Sequence, residues 1–345
     1  MAYTDLISSQ VTLVAGGGNY NFSFDTPIAA DGSPHIVSWG PQLNATAAGG
    51  MTPTNGLSGI ISTLRVQVGS EIVINWNNNG TPTAGTLSQL GCFIQRLGGQ
   101  DFCITDAADD LTVLAEMSMP VGLDASKSHR VNVQITLLDE NAGMTGVALT
   151  PASSTLDWTI NFGVAKERTI VGARQDFQMT ASATRTVTVF GKEGYSMLGM
   201  MCASANNNGG ATAVVLDAIQ AIRINNGAFR ELFVNQWRSL NNSFRNPDRT
   251  SLAIGNMGNV NAAGVIAEQT RIAGQAGSLF LNLRRISAGA NIDAAFTYTA
   301  ANGDAPLAVY PVWVSNIGAT GAKAPRQTII TPQSTTLTVE DNSAN

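Results

Sequence analysis

The residues that could perform acid–base or metal chemistry are few and widely separated in this 345-residue sequence. It contains two histidines, His35 and His129, and neither is beside a plausible catalytic nucleophile or metal-ligand partner in the sequence. A catalytic histidine works together with a nucleophile or an orienting group. We therefore predict that both histidines are loop or surface residues.

The three cysteines, Cys92, Cys103 and Cys202, do not make a disulfide framework. The spacing of Cys92 and Cys103 could close a small loop, but no Cys-x-x-Cys or Cys/His cluster suits a metal ion. We expect all three cysteines to be reduced and buried.

One acidic stretch is a candidate ion site. Clustered carboxylates ligate calcium, but the spacing here matches no EF-hand loop, so a solvated acidic loop is favoured and structural calcium is the alternative. The residues concerned are Asp101, Asp106, Asp109, Asp110 and Glu116.

No catalytic motif is present in the sequence. It contains no Gly-x-Ser-x-Gly elbow, no His-Glu-x-x-His and no Walker motif. We assign no catalytic, cofactor-binding or metal-binding residue, and we predict that the protein is not an enzyme. Spacing alone leaves open a glycosidase pair, in which two carboxylates face each other across a cleft.

A series of arginines occupies the second half of the sequence at intervals of four to eight residues. A nucleic-acid-binding protein would carry more basic residues with exposed aromatics between them. Here the aromatics follow an apolar stripe, so we expect no sequence-specific nucleic-acid binding. The arginines are suited instead to pairing with carboxylates of neighbouring subunits. They are Arg223, Arg230, Arg238, Arg245 and Arg249.

The composition indicates β-sheets and a surface that is buried against neighbours. Only 12% of the residues are charged, and the chain has 35 glycines. Residues 1–165 carry 4 basic and 13 acidic side chains, whereas residues 166–345 carry 15 and 11. The first half is therefore acidic and the second mildly basic. This is either a chance division of few charges or a sign that acidic and basic faces meet between or within subunits.

Short alternating segments predict an all-β fold. An apolar stripe predicts one helix at residues 228–240, and a second helix is predicted at 107–117. Residues 256–275 are predicted to be a loop, and residues 328–345 an extended tail. The predicted strands are 19–24, 64–68, 71–76, 131–137, 155–162, 184–190, 218–224, 278–283, 294–299 and 308–315.

A weak internal repeat divides the chain in two. Trp158 and Trp313 each begin the phrase Trp-x-x-Asn-(apolar)-Gly. Residues 64–69 resemble 222–227, and residues 131–137 resemble 279–283. The repeat predicts two domains of one architecture, 1–165 and 166–327, followed by the tail. With about eight strands each, they are expected to be two tandem jelly-roll β-sandwiches with one or two short helices.

These features resemble the double jelly-roll major capsid proteins of tailless icosahedral bacteriophages of the tectivirus and corticovirus kind. The local resemblance lies in residues 221–249, where Ile222-Arg223-Ile224 precedes an Asn-Gly turn and the predicted helix. This is similar to the Val-Arg-Val, Asp-Gly and helix of the corticovirus protein. The resemblance implies a homotrimeric, pseudo-hexagonal capsomer over an internal membrane, with neighbouring capsomers and minor capsid or penton proteins as partners. It implies no cofactor and no catalytic residue.

Two alternative functions remain at this point. One is a carbohydrate-binding protein or glycosidase of two β-sandwiches, although only 6% of the residues are aromatic. The other is a phage fibre component, which would show short fibrous repeats. Because no signal peptide and no apolar run of membrane-spanning length is recognisable, we expect synthesis in a host cytoplasm and location in the virion.

Overall fold

The computed structural model describes residues 3–14, 16–46, 57–77, 89–106, 112–138, 150–180, 182–204, 219–224, 232–233, 250–260, 266–273, 278–286, 291–298 and 307–317. Up to residue 165 it contains one α-helix, α1 (Gln89–Arg96), and short 3₁₀ helices at Leu57–Gly59 and Pro151–Ser153. The strands of this half are β1 (Tyr3–Thr12), β2 (Gly18–Asp25), β3 (His35–Thr46), β4 (Ile61–Val68), β5 (Glu71–Asn77), β6 (Gln100–Asp106), β7 (Thr112–Asp124), β8 (Arg130–Leu137) and β9 (Thr155–Gly163).

The described part of the second half contains strands only. They are β10 (Glu167–Val171), β11 (Gln175–Phe177), β12 (Thr184–Val189), β13 (Ser196–Ser204), β14 (Ile219–Ile224), β15 (Leu232–Phe233), β16 (Thr250–Val260), β17 (Ile266–Ala273), β18 (Ser278–Ile286), β19 (Ile292–Tyr298) and β20 (Leu307–Asn316). All ten strands predicted from the sequence are present.

These strands form three sheets. The seven-stranded sheet has the order β1-β9-β3-β7-β6-β16-β17, and the four-stranded sheet has the order β12-β19-β14-β15. The third sheet contains strands of both halves and is called the shared sheet. Its order is β18-β13-β20-β10-β5-β4-β8-β2, with β11 beside β20. It joins strands of both halves through a parallel pairing of β5 with β10. A second parallel pairing, of β6 with β16, joins the halves in the seven-stranded sheet.

The core strands of the two halves follow one order. Eight strands of each half form its two layers; the others are β6 in the first half and β11, β16 and β17 in the second. When the eight are numbered along the chain, the first half has the orders 1-8-3-6 (β1-β9-β3-β7) and 5-4-7-2 (β5-β4-β8-β2). The second half repeats both orders as β10-β20-β13-β18 and β15-β14-β19-β12. Two four-stranded layers of this kind make a jelly roll. The predicted fold of two tandem jelly rolls is confirmed.

The tryptophan repeat reflects this architecture. Trp158 lies on β9, opposite Ile7 of β1, and Trp313 lies on β20, opposite Ile170 of β10. Each tryptophan is thus on the eighth strand of its half, beside the first, as predicted. The similarity of residues 64–69 to 222–227 is also structural, since β4 and β14 are both fourth strands. The similarity of 131–137 to 279–283 is not, because β8 is a seventh strand and β18 a sixth.

Two hydrophobic cores lie on opposite faces of the shared sheet. Along β20, Ala308, Tyr310 and Val312 belong to the first core, whereas Leu307 and Val309 belong to the second. A strand buried on both faces needs apolar residues at every position, which explains the unbroken apolar run of β20. The first core therefore includes side chains from the second half, so the two sandwiches are not separate.

Three predictions of secondary structure are wrong in the described residues. Residues 112–117 of the predicted helix 107–117 lie in β7, while 107–111 lie outside the described residues. The predicted loop 256–275 contains the end of β16 and all of β17. Of the predicted helix 228–240 only Leu232 and Phe233 are described, and they pair with β14 as a strand because that sheet edge offers them backbone partners.

Candidate functional site: the junction between the two halves

The two histidines are separate from each other and from any catalytic arrangement. His35 is fully buried at the start of β3, so its predicted surface position is wrong. Its Nδ1 accepts a hydrogen bond of 3.2 Å from the backbone N–H of Ala165, and burial lowers its pKa. His129 lies in the turn before β8, as predicted, and its Nε2 is 2.6 Å from the carbonyl oxygen of Asp124. Both rings therefore connect backbone segments.

Asp101 is a buried structural carboxylate. It lies on β6 and accepts hydrogen bonds from the backbone N–H of Ser58, at 3.2 Å, and from the Ser58 hydroxyl. Burial raises the pKa of Asp101 to about 6, partly offset by the hydrogen bonds from Ser58. Its contacts tie the 3₁₀ helix at Leu57–Gly59 to β6.

Asp101 and Glu116, two members of the acidic stretch for which calcium was the alternative interpretation, lie on opposite faces of the sheet. Asp101 is opposite Met117 on β7, on the core face, whereas Glu116 occupies the next position and points to the other face. Asp109 and Asp110 lie outside the described residues, and the side chain of Asp106 is not described. Among the described residues, no group of three or more His, Cys, Asp or Glu side chains could hold a metal ion.

A row of buried polar residues on the face of β9 opposite its apolar side chains was not identified from the sequence. Along β9, Asp157 and Thr159 alternate with the core residues Trp158 and Ile160. Asp157 accepts a 2.9 Å hydrogen bond from Asn44, and the hydroxyl of Thr159 lies 3.5 Å from Glu116. Burial raises the pKa of both carboxyl groups. The period-two pattern of β9 was the signal that could have revealed this face.

Cys202 is reduced and fully buried on β13, as predicted. Burial raises the pKa of its thiol, so the reactive thiolate is disfavoured. The side chains of Cys92 and Cys103 lie outside the described ones. Of the five arginines singled out above, only Arg223 is described, and it is exposed on β14.

The strands β5 and β10 pair at Ile74 and Val171 and form the junction between the two halves. A network of charged and polar side chains lies at one end of this junction. Glu71 begins β5, and its Oε2 pairs with the guanidinium of Arg168 on β10 at 2.5 Å. Its Oε1 receives the ammonium group of Lys192 at 3.4 Å and the hydroxyl of Tyr195 at 3.2 Å. One carboxylate of the first half thus holds three side chains of the second.

Aromatic packing secures the other end of the same junction. The rings of Trp76 on β5 and Tyr310 on β20 stack with their centroids 4.2 Å apart. Trp76 also stacks on Phe93 of α1 at 5.7 Å, and Phe93 contacts Phe280 of β18 at 6.3 Å. The guanidinium of Arg174 donates to the carbonyl oxygen of Asn77, at the end of β5, at 3.3 Å.

A close backbone approach completes the contact between the halves. Gly122 on β7 has φ +65°, and a Cβ atom there would lie 1.9 Å from the carbonyl oxygen of Glu167 on β10. Only glycine permits this approach. Ion pairs, stacked rings and paired strands therefore unite the two jelly rolls as one body, and none of these groups is arranged as a nucleophile with its base.

The described residues contain no helix long and apolar enough to cross a membrane.

No protein-family model and no curated protein sequence matches this chain significantly. Solved structures do match it. The crystal structure of the major capsid protein of Sulfolobus turreted icosahedral virus is 12% identical, with a TM-score of 0.56, over 91% of this chain and 96% of that one. A chain from the atomic structure of the same virus is 11% identical, with a TM-score of 0.52, over 90% of each chain. At this identity the likeness establishes the fold: the chain has the double jelly-roll fold of that viral major capsid protein.

Proposed function

We propose that this chain is the major capsid protein of a tailless icosahedral virus. The observation that carries the proposal is the repeated strand order, 1-8-3-6 and 5-4-7-2, in two jelly rolls united by one shared sheet. A doubled barrel gives each copy two near-equivalent units, so three copies present six to a hexagonal net. The similar fold of the Sulfolobus virus protein supports the same assignment.

The proposal includes the finer features implied by the resemblance. The jelly rolls occupy residues 1–165 and 166–327, with a tail at 328–345, and three copies form a homotrimeric capsomer in the virion. Its partners are neighbouring capsomers, minor capsid or penton proteins and an underlying membrane, and it needs no cofactor. The low charged fraction of the sequence, 12%, supports extensive burial between copies.

The test is the state of the purified protein. Sedimentation equilibrium at micromolar concentration should give three times the 36.0 kDa of the chain, and negative-stain images should show pseudo-hexagonal particles or arrays. A stable monomer across the concentration range would overturn the capsid proposal.

One observation favours a glycosidase as the second candidate. Asp157 and Glu116 lie in one row across β9, β3 and β7, each opposite Gln42 of β3. Two strand spacings separate them, about 9.6 Å, which is near the separation used by inverting glycosidases. However, Asp157 has no exposed surface that a sugar could reach.

A panel of glycosides separates the two functions. The capsid proposal expects no turnover by the wild-type protein or by the Glu116→Gln and Asp157→Asn variants. Turnover that one of these substitutions abolishes would establish the glycosidase instead.

A further inference from the structure

We propose that neighbouring copies join through β15 of one copy and β1 of the next, as a repetition of the junction between β5 and β10 within the chain. The inference rests on the proposed trimer and names the surfaces that build it. In each case the fifth strand of one jelly roll lies beside the first strand of another.

The junction within the chain supplies the geometry. β5, the fifth strand of the first half, pairs in parallel with β10, the first strand of the second half. The ion pair of Glu71 with Arg168 holds β5 against β10, and the stack of Trp76 on Tyr310 joins β5 to β20, the neighbour of β10. This fixes how one jelly roll follows the next.

The matching strands are at sheet edges. β15, the fifth strand of the second half, ends the four-stranded sheet, and β1, the first strand of the first half, ends the seven-stranded sheet. Within the described residues each pairs on one side only, β15 with β14 and β1 with β9. An edge strand offers unpaired N–H and C=O groups to another chain.

Repetition of one junction closes a ring. A contact between unlike surfaces of identical copies makes either a ring or an open filament. With three copies, the junction of β5 with β10 occurs three times within chains, and the junction of β15 with β1 would occur three times between them. Six jelly rolls then follow one another in the same way.

At the junction between copies, the acidic residue would lie on the first strand and the basic residues near the fifth, the reverse of the junction within the chain. Because Ile7 faces Trp158 as Ile170 faces Trp313, the position on β1 that corresponds to Arg168 is Asp5. Arg168 meets an acidic residue of the fifth strand within the chain. The segment around β15, residues 219–249, contains five arginines and only two acidic residues, so it suits Asp5.

Register predicts which residues meet. Trp76 is opposite Leu64 and Leu232 is opposite Ile222, and Leu64 corresponds to Ile222 in the sequence repeat. Trp76 therefore corresponds to Leu232. Trp76 lies two residues beyond Ile74, and the matching position two residues beyond Val171 is opposite Tyr310, three residues before Trp313. Three residues before Trp158 is Thr155, whose partner on β1 is Thr12. Leu232 is therefore expected beside Thr12 of the next copy.

Cysteine cross-linking tests this pairing. Under mild oxidation, a chain with both Thr12→Cys and Leu232→Cys should give covalent dimers and trimers on a non-reducing gel, and reduction should return the monomer. Either single variant should give neither species. The matched control combines Thr12→Cys with Thr186→Cys on β12, the opposite edge of the four-stranded sheet, and should give no cross-link.

Charge reversal supplies a second readout that does not depend on Leu232. Asp5→Arg should weaken trimer formation at least tenfold by sedimentation, whereas Asp31→Arg, at an exposed loop position, should leave it unchanged. If the wild type is a trimer but Asp5→Arg assembles normally, or if the β12 pair cross-links instead, the proposed junction of β15 with β1 is wrong, whereas the proposed trimeric capsomer is retained. A monomeric wild type would overturn the capsomer itself.

Discussion

Buried and half-buried ionisable side chains form contacts between segments that are distant in the sequence. Asp101 accepts hydrogen bonds from Ser58, and His35 accepts one from the backbone N–H of Ala165. Glu71 forms ion pairs with Arg168 and Lys192 and accepts a hydrogen bond from Tyr195. The sequence pointed to Asp101 and His35 as rare chemical groups but could not show these roles. Each partner is distant along the chain, so only the tertiary fold brings it near.

The pH dependence of stability should reveal Asp101. Its folded pKa of about 6 exceeds the ordinary value of 3.8, so the folded state retains the proton that the unfolded state has lost. Its contribution to the free energy of unfolding therefore falls as pH rises from about 4 to about 6, by up to about 3 kcal/mol. Urea unfolding at pH 4 and pH 7.5 should show that Asp101→Asn loses this decrease.

Asp31→Asn is the control for that experiment. The backbone N–H of Ser33 lowers the pKa of Asp31, so its effect on stability has the opposite sign. An identical pH profile for Asp101→Asn and the wild type would refute the role of Asp101.

Glu71 should matter more than an ordinary surface carboxylate. Glu71→Ala leaves Arg168 and Lys192 without their anion at a half-buried junction. We expect a loss of about 1–3 kcal/mol in the free energy of unfolding. The exposed pair of Asp25 and Arg130 provides the comparison, and Asp25→Ala should cost less than about 1 kcal/mol. Equal losses in chemical denaturation would contradict this prediction.

At the scale of elements, alternation identified strands that bury one face, such as β2 and β8. The same alternation is present in β7, where Ala115, Met117 and Met119 face the core at every second position, although we predicted a helix there. Alanine, glutamate and methionine favour helices locally, but pairing with β3 and β6 overrides that preference. The end of β16 and all of β17 lie in a stretch that we predicted to be a loop because residues 256–275 are rich in Gly, Asn and Ala. Backbone pairing between β16 and β17, and between β16 and β6, makes strands of them.

The approach of β7 to β10 depends on Gly122. Gly122→Ala combines a left-handed backbone, which costs about 1–2 kcal/mol, with a clash that adds about 1–3 kcal/mol. Gly32 has a similar φ, +74°, but nothing lies within 4 Å of a Cβ there. Thermal unfolding should therefore show a larger loss for Gly122→Ala than for Gly32→Ala. If the losses are equal, β10 can move away at no cost.

At the scale of the whole molecule, the repeat predicted two similar domains, but it could not predict that they share a sheet. Tyr310 and Val312 of the second half complete the first core. A fragment of residues 1–165 should therefore lack a cooperative unfolding transition and a dispersed amide NMR spectrum, in contrast to the full chain. A well-folded fragment would show that the first jelly roll needs nothing from the second.

The two-sided burial of β20 has a consequence for misfolding. When a strand that buries one face slips by one residue, its apolar side chains turn toward water, so the slipped register is disfavoured. A slipped β20 would remain apolar on both sides, so burial alone gives little correction. Fidelity depends instead on shape: Tyr310 must reach Trp76, and the ring of Trp313 must fit where Gly172 lacks a side chain. The register of β20 is thus set by two of its large aromatic side chains and by a neighbouring glycine outside the strand.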